Sequence, residues 1–482
     1  MNTSDAYQKI TDALRRRKKG ATVADICAAT ALPLNTVREL LPKAADEYSG
    51  RLQVTQSGEI LYHFPDGFKS RYRGIGVWLK KAAQKSAVFI KMSLSFLFKV
   101  WIMVMLIGYF VLFLALALAS VFISVAAKSS GRDRRGGFFG FGFFDLLIRL
   151  WFYSELTRPN YGNRSVTRKK KQYQPLHKAI FSFVFGEEDP NRDWQERQNR
   201  AIIDYIQANR GVISLAEYMA FTGESSIDAE QTLLAFCSRY AGSPEVTEEG
   251  TIVYRFDELL LRADKTNTDE LIPPVKRLKI FSGNSKSKNG WFIAINAVNL
   301  LFGSYFLYQS FSAGQLLTEI QYQAASTLYS YTHYFLQMVT SDPVGIIRTV
   351  LGFTPFLFSF LFWLIPALRY FFEKKENEEI KLSNFKRFSF GKIWASPSKI
   401  DAEKFFGVSN AECKPGNISE ARDRVIKDIG AISVPEIEQN EEGRMIYSFN
   451  ELEDEKRALE KYRAGIDPEQ SLLGTTVFDS GE

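Results

Sequence analysis

The chain has 482 residues, is 46% hydrophobic and carries 61 Lys/Arg against 54 Asp/Glu, a formal net charge of +7. Its three cysteines (Cys27, Cys237, Cys413) and three histidines (His63, His177, His333) are widely scattered. That scatter excludes a disulfide framework, a zinc site and an iron–sulfur cluster held by clustered thiolates.

Residues 1–66 read as a first soluble module. Ser4–Lys18 has Ala6, Ile10, Ala13 and Leu14 on one helical face. Thr22 and Asp25 have capping-box spacing for a second helix. A third helix carries Val37, Leu40, Leu41 and Ala44, and Val54–Phe64 reads as the end of a β-hairpin. The polar, helix-like stretch Met1–Arg17 is not a cleavable signal. Residues 67–99 are a basic linker, with seven Lys/Arg between Asp66 and Lys99.

Val100–Ala127 holds 28 residues without a charge, more than the roughly 20 that a membrane span needs. With Phe138–Tyr153 it is read as a first membrane hairpin over 100–153. The second element is short and carries Asp145 and Arg149 at i,i+4, so a span, a re-entrant segment and an interfacial helix all remain open. Residues 154–188 form another basic linker, including Arg168–Lys171.

Val54-Thr-Gln-Ser-Gly-Glu-Ile-Leu-Tyr-His-Phe64 recurs 192 residues later as Val246-Thr-Glu-Glu-Gly-Thr-Ile-Val-Tyr-Arg-Phe256. Ser214 and Glu217 repeat the capping box, and Asp189-Pro190 is expected to open the first helix of this second module, 189–260. A shorter copy, Glu442-Gly-Arg-Met-Ile-Tyr-Ser-Phe449, marks a degenerate third module at 400–452. The repeat-defining residues are Gly58, Tyr62, Phe64, Gly250, Tyr254, Phe256, Gly443, Tyr447 and Phe449. The Tyr and Phe members are expected to be half-buried on their own module's helices. Three helices and a hairpin form the order of a winged helix-turn-helix.

Between the second and third modules, a linker at 261–289 precedes a second membrane hairpin at 290–371, and a further linker follows at 372–399. The uncharged stretches are Trp291–Phe311 and Thr349–Leu368. Lys/Arg flank both outer ends, while Ser312–Pro343 has none, so the loop 312–343 is expected on the extracytoplasmic side. Asn296 and Asn299 are expected to bond between helices. Residues 453–482 read as a C-terminal helix and tail. The fold class is therefore a polytopic α-helical membrane protein with repeated winged-helix-like α+β modules, both termini cytoplasmic.

Phe181-Ser-Phe-Val-Phe-Gly-Glu-Glu-Asp-Pro-Asn191, with the hairpin Glu249–Phe256, resembles a membrane protein family of cyanobacteria and chloroplasts. Gly131-Arg-Asp-Arg-Arg-Gly is similar in style. Some plant members carry an iron–sulfur-cluster-biosynthesis label, which the scattered cysteines here do not support. The resemblance implies a thylakoid or plastid membrane, or a bacterial inner membrane, since the N-terminus is not transit-like.

The third helices offer little charge for DNA. Over Met1–Phe64, Gln195–Leu260 and Ile400–Leu452 the modules carry nine basic and seven acidic residues, five and eleven, and six and eleven. Phosphate neutralisation drives DNA affinity, so two of the three would repel it. Arg15, Arg16, Arg17, Lys18 and Lys19 are the one candidate contact with nucleic acid or anionic lipid. No catalytic residue, cofactor or metal is expected, and the chain is read as no enzyme. The expected partners are the lipid bilayer and an unidentified protein, with self-association into a homo-oligomer compatible. The preferred function is an integral membrane scaffold for protein–protein interaction. A membrane-tethered DNA-binding regulator is the alternative, and a transporter or an assembly factor for a cofactor enzyme is a third reading.

Overall fold

The computed structural model describes residues 3–17, 20–65, 67–68, 71, 75–128, 174–263, 273–312, 328–401, 405–407, 410–439, 441, 443–467 and 473–480. The chain divides into two compact units. The first comprises Met1–Lys85, Glu188–Lys279 and Glu373–Glu482, and the second Ser86–Glu187 and Ile280–Phe372. Phe138–Tyr153, Arg168–Lys171, Lys18 and Lys19 lie outside the described residues.

In the first unit, helices α1 (Thr3–Arg15), α2 (Val23–Thr30) and α3 (Leu34–Glu47) precede strands β1 (Arg51–Thr55) and β2 (Ile60–His63). The α2 capping box is complete: the Thr22 side chain accepts from the Asp25 amide, and the Asp25 carboxylate accepts from the Thr22 amide. After the long helix α4 (Ile75–Lys128) and the short α5 (Leu176–Phe185), the same order returns. It runs α6 (Trp194–Ala208), β3 (Val212–Ser214), α7 (Leu215–Thr222), α8 (Ser226–Tyr240), β4 (Ser243–Val246) and β5 (Ile252–Arg255). Ser214 and Glu217 again close both halves of a capping box. Asp189-Pro190 does not open α6. The helix starts at Trp194, and Asp189 instead accepts from the Asn191 amide in a preceding turn. That turn is the local bonding that short Asp side chains favour.

Later in the chain come α9 (Lys286–Ser312), α10 (Leu328–Gln337) and α11 (Pro343–Ile346). A π-helical stretch, Ile347–Phe353, then leads into α12 (Thr354–Ala395). Last are β6 (Ile400–Asp401), α13 (Ile418–Gly430), β7 (Glu436–Gln439), β8 (Met445–Ser448), α14 (Asn450–Gly465) and β9 (Thr476–Asp479). Several stretches expected to be linkers are therefore regular structure. Residues 372–395 continue α12, because their Lys and Glu side chains propagate a helix well and the single Gly391 opposes it by only about 1 kcal/mol. Residues 75–99 likewise belong to α4, and 176–185 within the second basic linker form α5.

Three small antiparallel sheets share one register. Leu52 pairs with Tyr62, Pro244 with Tyr254 and Ile437 with Tyr447. On the other edge of the second strand, Ala21 bridges Tyr62, Ile213 pairs with Tyr254, and Ile400 with Tyr447. Gly58, Gly250 and Gly443 turn each hairpin at φ of 81°, 86° and 74°. A Cβ on Gly58 or Gly250 would meet nothing, so backbone conformation and not space requires glycine there.

One continuous apolar core joins these elements, from Ile10, Leu41 and Tyr62 through Ile203, Tyr240 and Phe256 to Phe385, Val425 and Phe449. Tyr62, Tyr254, Phe256 and Phe449 are buried rather than half-buried, while Phe64 and Tyr447 are intermediate. The shared core covers the face that a lone hairpin would leave wet. Gly50 and Gly242 make the fit possible: a Cβ would lie 2.6 Å from the Phe64 ring in one case and 2.3 Å from the Phe256 ring in the other. Along α12, Asn377 and Asn384 lie two turns apart. Each clasps an extended segment by accepting from a lysine amide and donating to the same residue's carbonyl, at Lys279 and Lys276 respectively.

The second unit is apolar and helical. Ile102, Leu106, Phe183, Phe292 and Phe362 form one cluster, and Phe113, Phe306, Ile347 and Leu351 another. Close packing of α9 on the rod that contains the π-helical stretch depends on glycine. A Cβ on Gly303 would stand 2.9 Å from the Phe356 nitrogen, and one on Gly352 2.9 Å from the Leu307 Cα. Asn296 and Asn299 are fully buried and donate to the Ser359 and Leu106 carbonyls at 2.9 and 2.7 Å, so they bond between helices. Arg348 donates to the Ser310 carbonyl at the end of α9, where a cation complements the helix dipole.

Candidate functional site

In the first unit, each capping-box carboxylate is also held by arginine from far along the chain. Asp25, with a fully buried side chain, contacts Arg17 at 3.1 Å and Arg262 at 3.2 Å and accepts from the Ala263 amide at 2.9 Å. Arg262 also bonds Gln207, and Thr22 donates to the Leu261 carbonyl. In the following module, Glu217 takes a forked contact from Arg463 at 3.0 and 2.7 Å and accepts from the Tyr205 hydroxyl. A two-pronged guanidinium–carboxylate pair fixes orientation as well as distance. Arg210 closes the arrangement by donating to the Arg463 and Ile466 carbonyls at the end of α14. The helix lays Leu459 and Ile466 against Val212 and Val253.

The third helices also meet each other. Helix α3 packs on α8, the Tyr240 hydroxyl donates to the Ala31 carbonyl, and Arg38 pairs with Glu258 at 2.8 Å. The basic cluster at the end of α1 is partly engaged as well. Arg15 pairs with Asp12 and lies over the Phe68 ring, while Arg17 serves Asp25. Arg16 forms a backbone turn to Ala13.

The tail carries a feature that sequence reading missed. Strand β9 adds to the free edge of β1, pairing Gln53 with Asp479 and Val54 with Phe478. The Gln56 and Ser57 amides donate to the Thr475 and Leu473 carbonyls, and the Gln53 amide side chain donates to Asp479. Thr476-Val-Phe-Asp479 has the alternation of a strand, but nothing in it names its partner. Deleting residues 468–482 is expected to speed hydrogen exchange at Gln56 and Ser57 roughly tenfold, the worth of a lost backbone hydrogen bond. Unchanged protection by mass spectrometry would show that β9 does not hold that edge in solution.

Cys27, Cys237 and Cys413 are buried free thiols. Burial pushes Cys27 up to about 12 and Cys237 up to about 11, as expected for packing residues and opposite to an activated thiol. Among the described residues there is no cluster of three or more His, Cys, Asp or Glu positioned to hold a metal ion.

The chain is mostly helical with small antiparallel sheets, and among the described residues three helices are long and apolar enough to cross a membrane: Phe89–Phe122, Lys286–Ser312 and Pro343–Ala395. It is 26% identical over 419 residues to an uncharacterised chloroplastic protein of Arabidopsis thaliana, a match covering 82% of this chain and 73% of the relative. No protein-family model matches the chain. No solved structure matches it.

Proposed function

We propose that this chain is a polytopic membrane protein whose three winged-helix-like modules act together as a protein-interaction scaffold. The observation that carries this reading is that the two basic residues α3 could offer to a groove are both paired, Arg38 with Glu258 and Lys43 with Glu39, where α3 meets α8. The shared hairpin registers and both capping boxes support the winged-helix repeat. The acidic second and third modules favour a basic or mixed-charge protein over nucleic acid. The chloroplastic relative and the apolar helices support a plastid or thylakoid membrane, or the equivalent bacterial one.

For the full-length protein in detergent, titration with mixed-sequence duplex DNA at about 50 and 200 mM salt is expected to give no binding that collapses between them. Micromolar affinity with that steep salt dependence would favour the tethered regulator instead.

All three modules are placed on one side of the membrane and Ser341 on the other, from the lysines and arginines that flank the second pair of spans. A cysteine introduced at the exposed Ser341 is expected to label from the face opposite to one introduced at Thr251. Labelling of both from one face would reject this topology.

A further inference from the structure

The second unit contains an apolar groove of about 320 Å3 between α4 and α12, closed at one end by α5. Its walls include Trp101 and Met105 of α4, Leu357 and Leu361 of α12, and Phe185 of α5. Trp101, Leu357, Leu361 and Phe185 are 51%, 41%, 41% and 38% exposed, so the groove opens outward. Aromatic rings shape its floor and end: Trp101 meets Phe358 edge-on at 6.2 Å, and Phe98 lies 5.8 Å from Phe185 at a tilt. The volume is at the lower end of the range for small-molecule sites.

The groove offers an occupant almost nothing polar. Thr354 lines it, but its hydroxyl is already donated to the Thr349 carbonyl. A peptide laid there would find no partners for its backbone, a cost of several kcal/mol per group in hydrocarbon. An occupant must therefore be an alkyl chain within the groove, and any polar part must sit at an end.

The two ends differ in charge. Lys99 is the last charge before the uncharged run Val100–Ala127, and Arg369 is the first after Thr349–Leu368. Because α4 enters the groove at Phe98 and α12 leaves it at Ile365, both cations belong to the α5 end. The Lys99 ammonium lies 4.6 Å from the Phe181 ring, which packs at 4.9 Å on groove-lining Phe185. Arg369 holds the Phe183 and Phe281 carbonyls beside it, and Lys178 is exposed on α5 next to His177, whose ring lies 5.3 Å from that of Phe96 on α4. The opposite end, near Met105, Phe353 and Thr354, has no charged residue in its lining, and Arg348 beyond it is turned to the Ser310 carbonyl and the Phe311 ring.

We infer that this groove binds one acyl chain of an anionic phospholipid, with the headgroup phosphate held at Lys99 and Lys178. The inference rests on the membrane reading proposed above. Inside a bilayer the groove is always covered by lipid. What distinguishes it from the rest of the helix surface is a concave wall that grips one chain on several sides and a basic end that selects the headgroup. Aromatic side chains beside a lysine suit that boundary, since rings and ammonium stems both place apolar parts inward and polar parts outward.

The test uses the full-length protein reconstituted in vesicles of phosphatidylcholine containing phosphatidylglycerol brominated on its acyl chains. Quenching assigned to Trp101, by difference from Trp101→Phe, is expected to be several-fold stronger than with brominated phosphatidylcholine at the same mole fraction. Native mass spectrometry from detergent should retain phosphatidylglycerol in preference to phosphatidylcholine. Lys99→Gln should lower that preference about five-fold, the worth of one lysine near an anionic surface, and Lys99→Gln/Lys178→Gln should lower it further. Leu361→Trp, which fills the groove, should abolish retention while the thermal midpoint stays within a few degrees. Equal quenching by both lipids, or a preference that survives both Lys99→Gln/Lys178→Gln and Leu361→Trp, overturns the lipid site while the membrane reading stands. Release of the chain from membranes by alkaline carbonate overturns both.

Discussion

Replacing Arg463 with alanine is expected to destabilise the first unit by about 3–5 kcal/mol, the usual cost of stripping one partner from a buried ion pair. Glu217 is 2% exposed at its side chain and Arg463 14%, so neither charge can turn to water when the other is removed. The carboxylate would keep the Ser214 amide and the Tyr205 hydroxyl, which bond it but carry no compensating charge. Arg463 also donates to the Val212 carbonyl, and loss of that bond would loosen the end of β3. The expected signature is regional: faster hydrogen exchange across Asn450–Gly465, where Leu459 loses its place on Val212 and Val253. Glu217→Gln can keep the bond from the Ser214 amide, but its amide nitrogen, a donor, then replaces the oxygen that accepts from Arg463 and Tyr205; Arg463 retains its bond to the Val212 carbonyl, so the cost should be somewhat smaller than for Arg463→Ala, about 1–3 kcal/mol. If Arg463→Ala leaves the thermal midpoint and the exchange of α14 unchanged, the forked contact does not dock that helix.

Phe256→Ala in the full chain is expected to cost a further, independent 3–5 kcal/mol, in the range for deleting a large buried aromatic side chain. Phe256 has no exposed surface, and its ring lies 5.7 Å from that of Phe236. The neighbouring Gly242 supplies a second arm to the experiment. Its missing side chain is what lets the ring in, since a Cβ would come within 2.3 Å of the Phe256 Cε1. Gly242→Ala alone should therefore cost about 1–3 kcal/mol through overpacking. Made together, the two changes should cost less than their sum, because the new methyl occupies part of the space the ring vacates. Strict additivity in chemical denaturation would mean that glycine and ring are not in the contact described. The same pairing recurs at Gly50 and Phe64, where the ring is only partly buried and stacks on Phe68 at 4.6 Å. A smaller cost is expected there.

What could be read from residues alone was everything set by short-range chemistry. The 28 uncharged residues from Val100 must be solvated by hydrocarbon or protein, and they lie within one long helix. Thr22 with Asp25, and Ser214 with Glu217, satisfy backbone donors three residues away, so their spacing alone announces two helix starts. Gly58, Gly250 and Gly443 at positive φ turn their hairpins whatever surrounds them. Asp189-Pro190 misled because a turn and a helix start use the same residues; α6 begins instead at Trp194, whose buried ring is covered by Lys276 and Arg387 from distant parts of the chain. The linkers misled for a related reason: charged residues in 372–395 propagate a helix as readily as they solvate a loop.

Tertiary structure decided the partners. Asp25 meets Arg262 across 237 positions and Glu217 meets Arg463 across 246. With 61 basic and 54 acidic residues available, charge complementarity by itself names no pair. Strand β9 finds β1 more than 400 positions away because that edge has unpaired amides, which no local pattern around Thr476 records. The groove at Trp101 is lined by α4, α5 and α12, which are distant from one another in the chain. Short-range bonding is written in neighbouring residues, whereas the choice among many equally suitable distant groups is made only when the core closes around them.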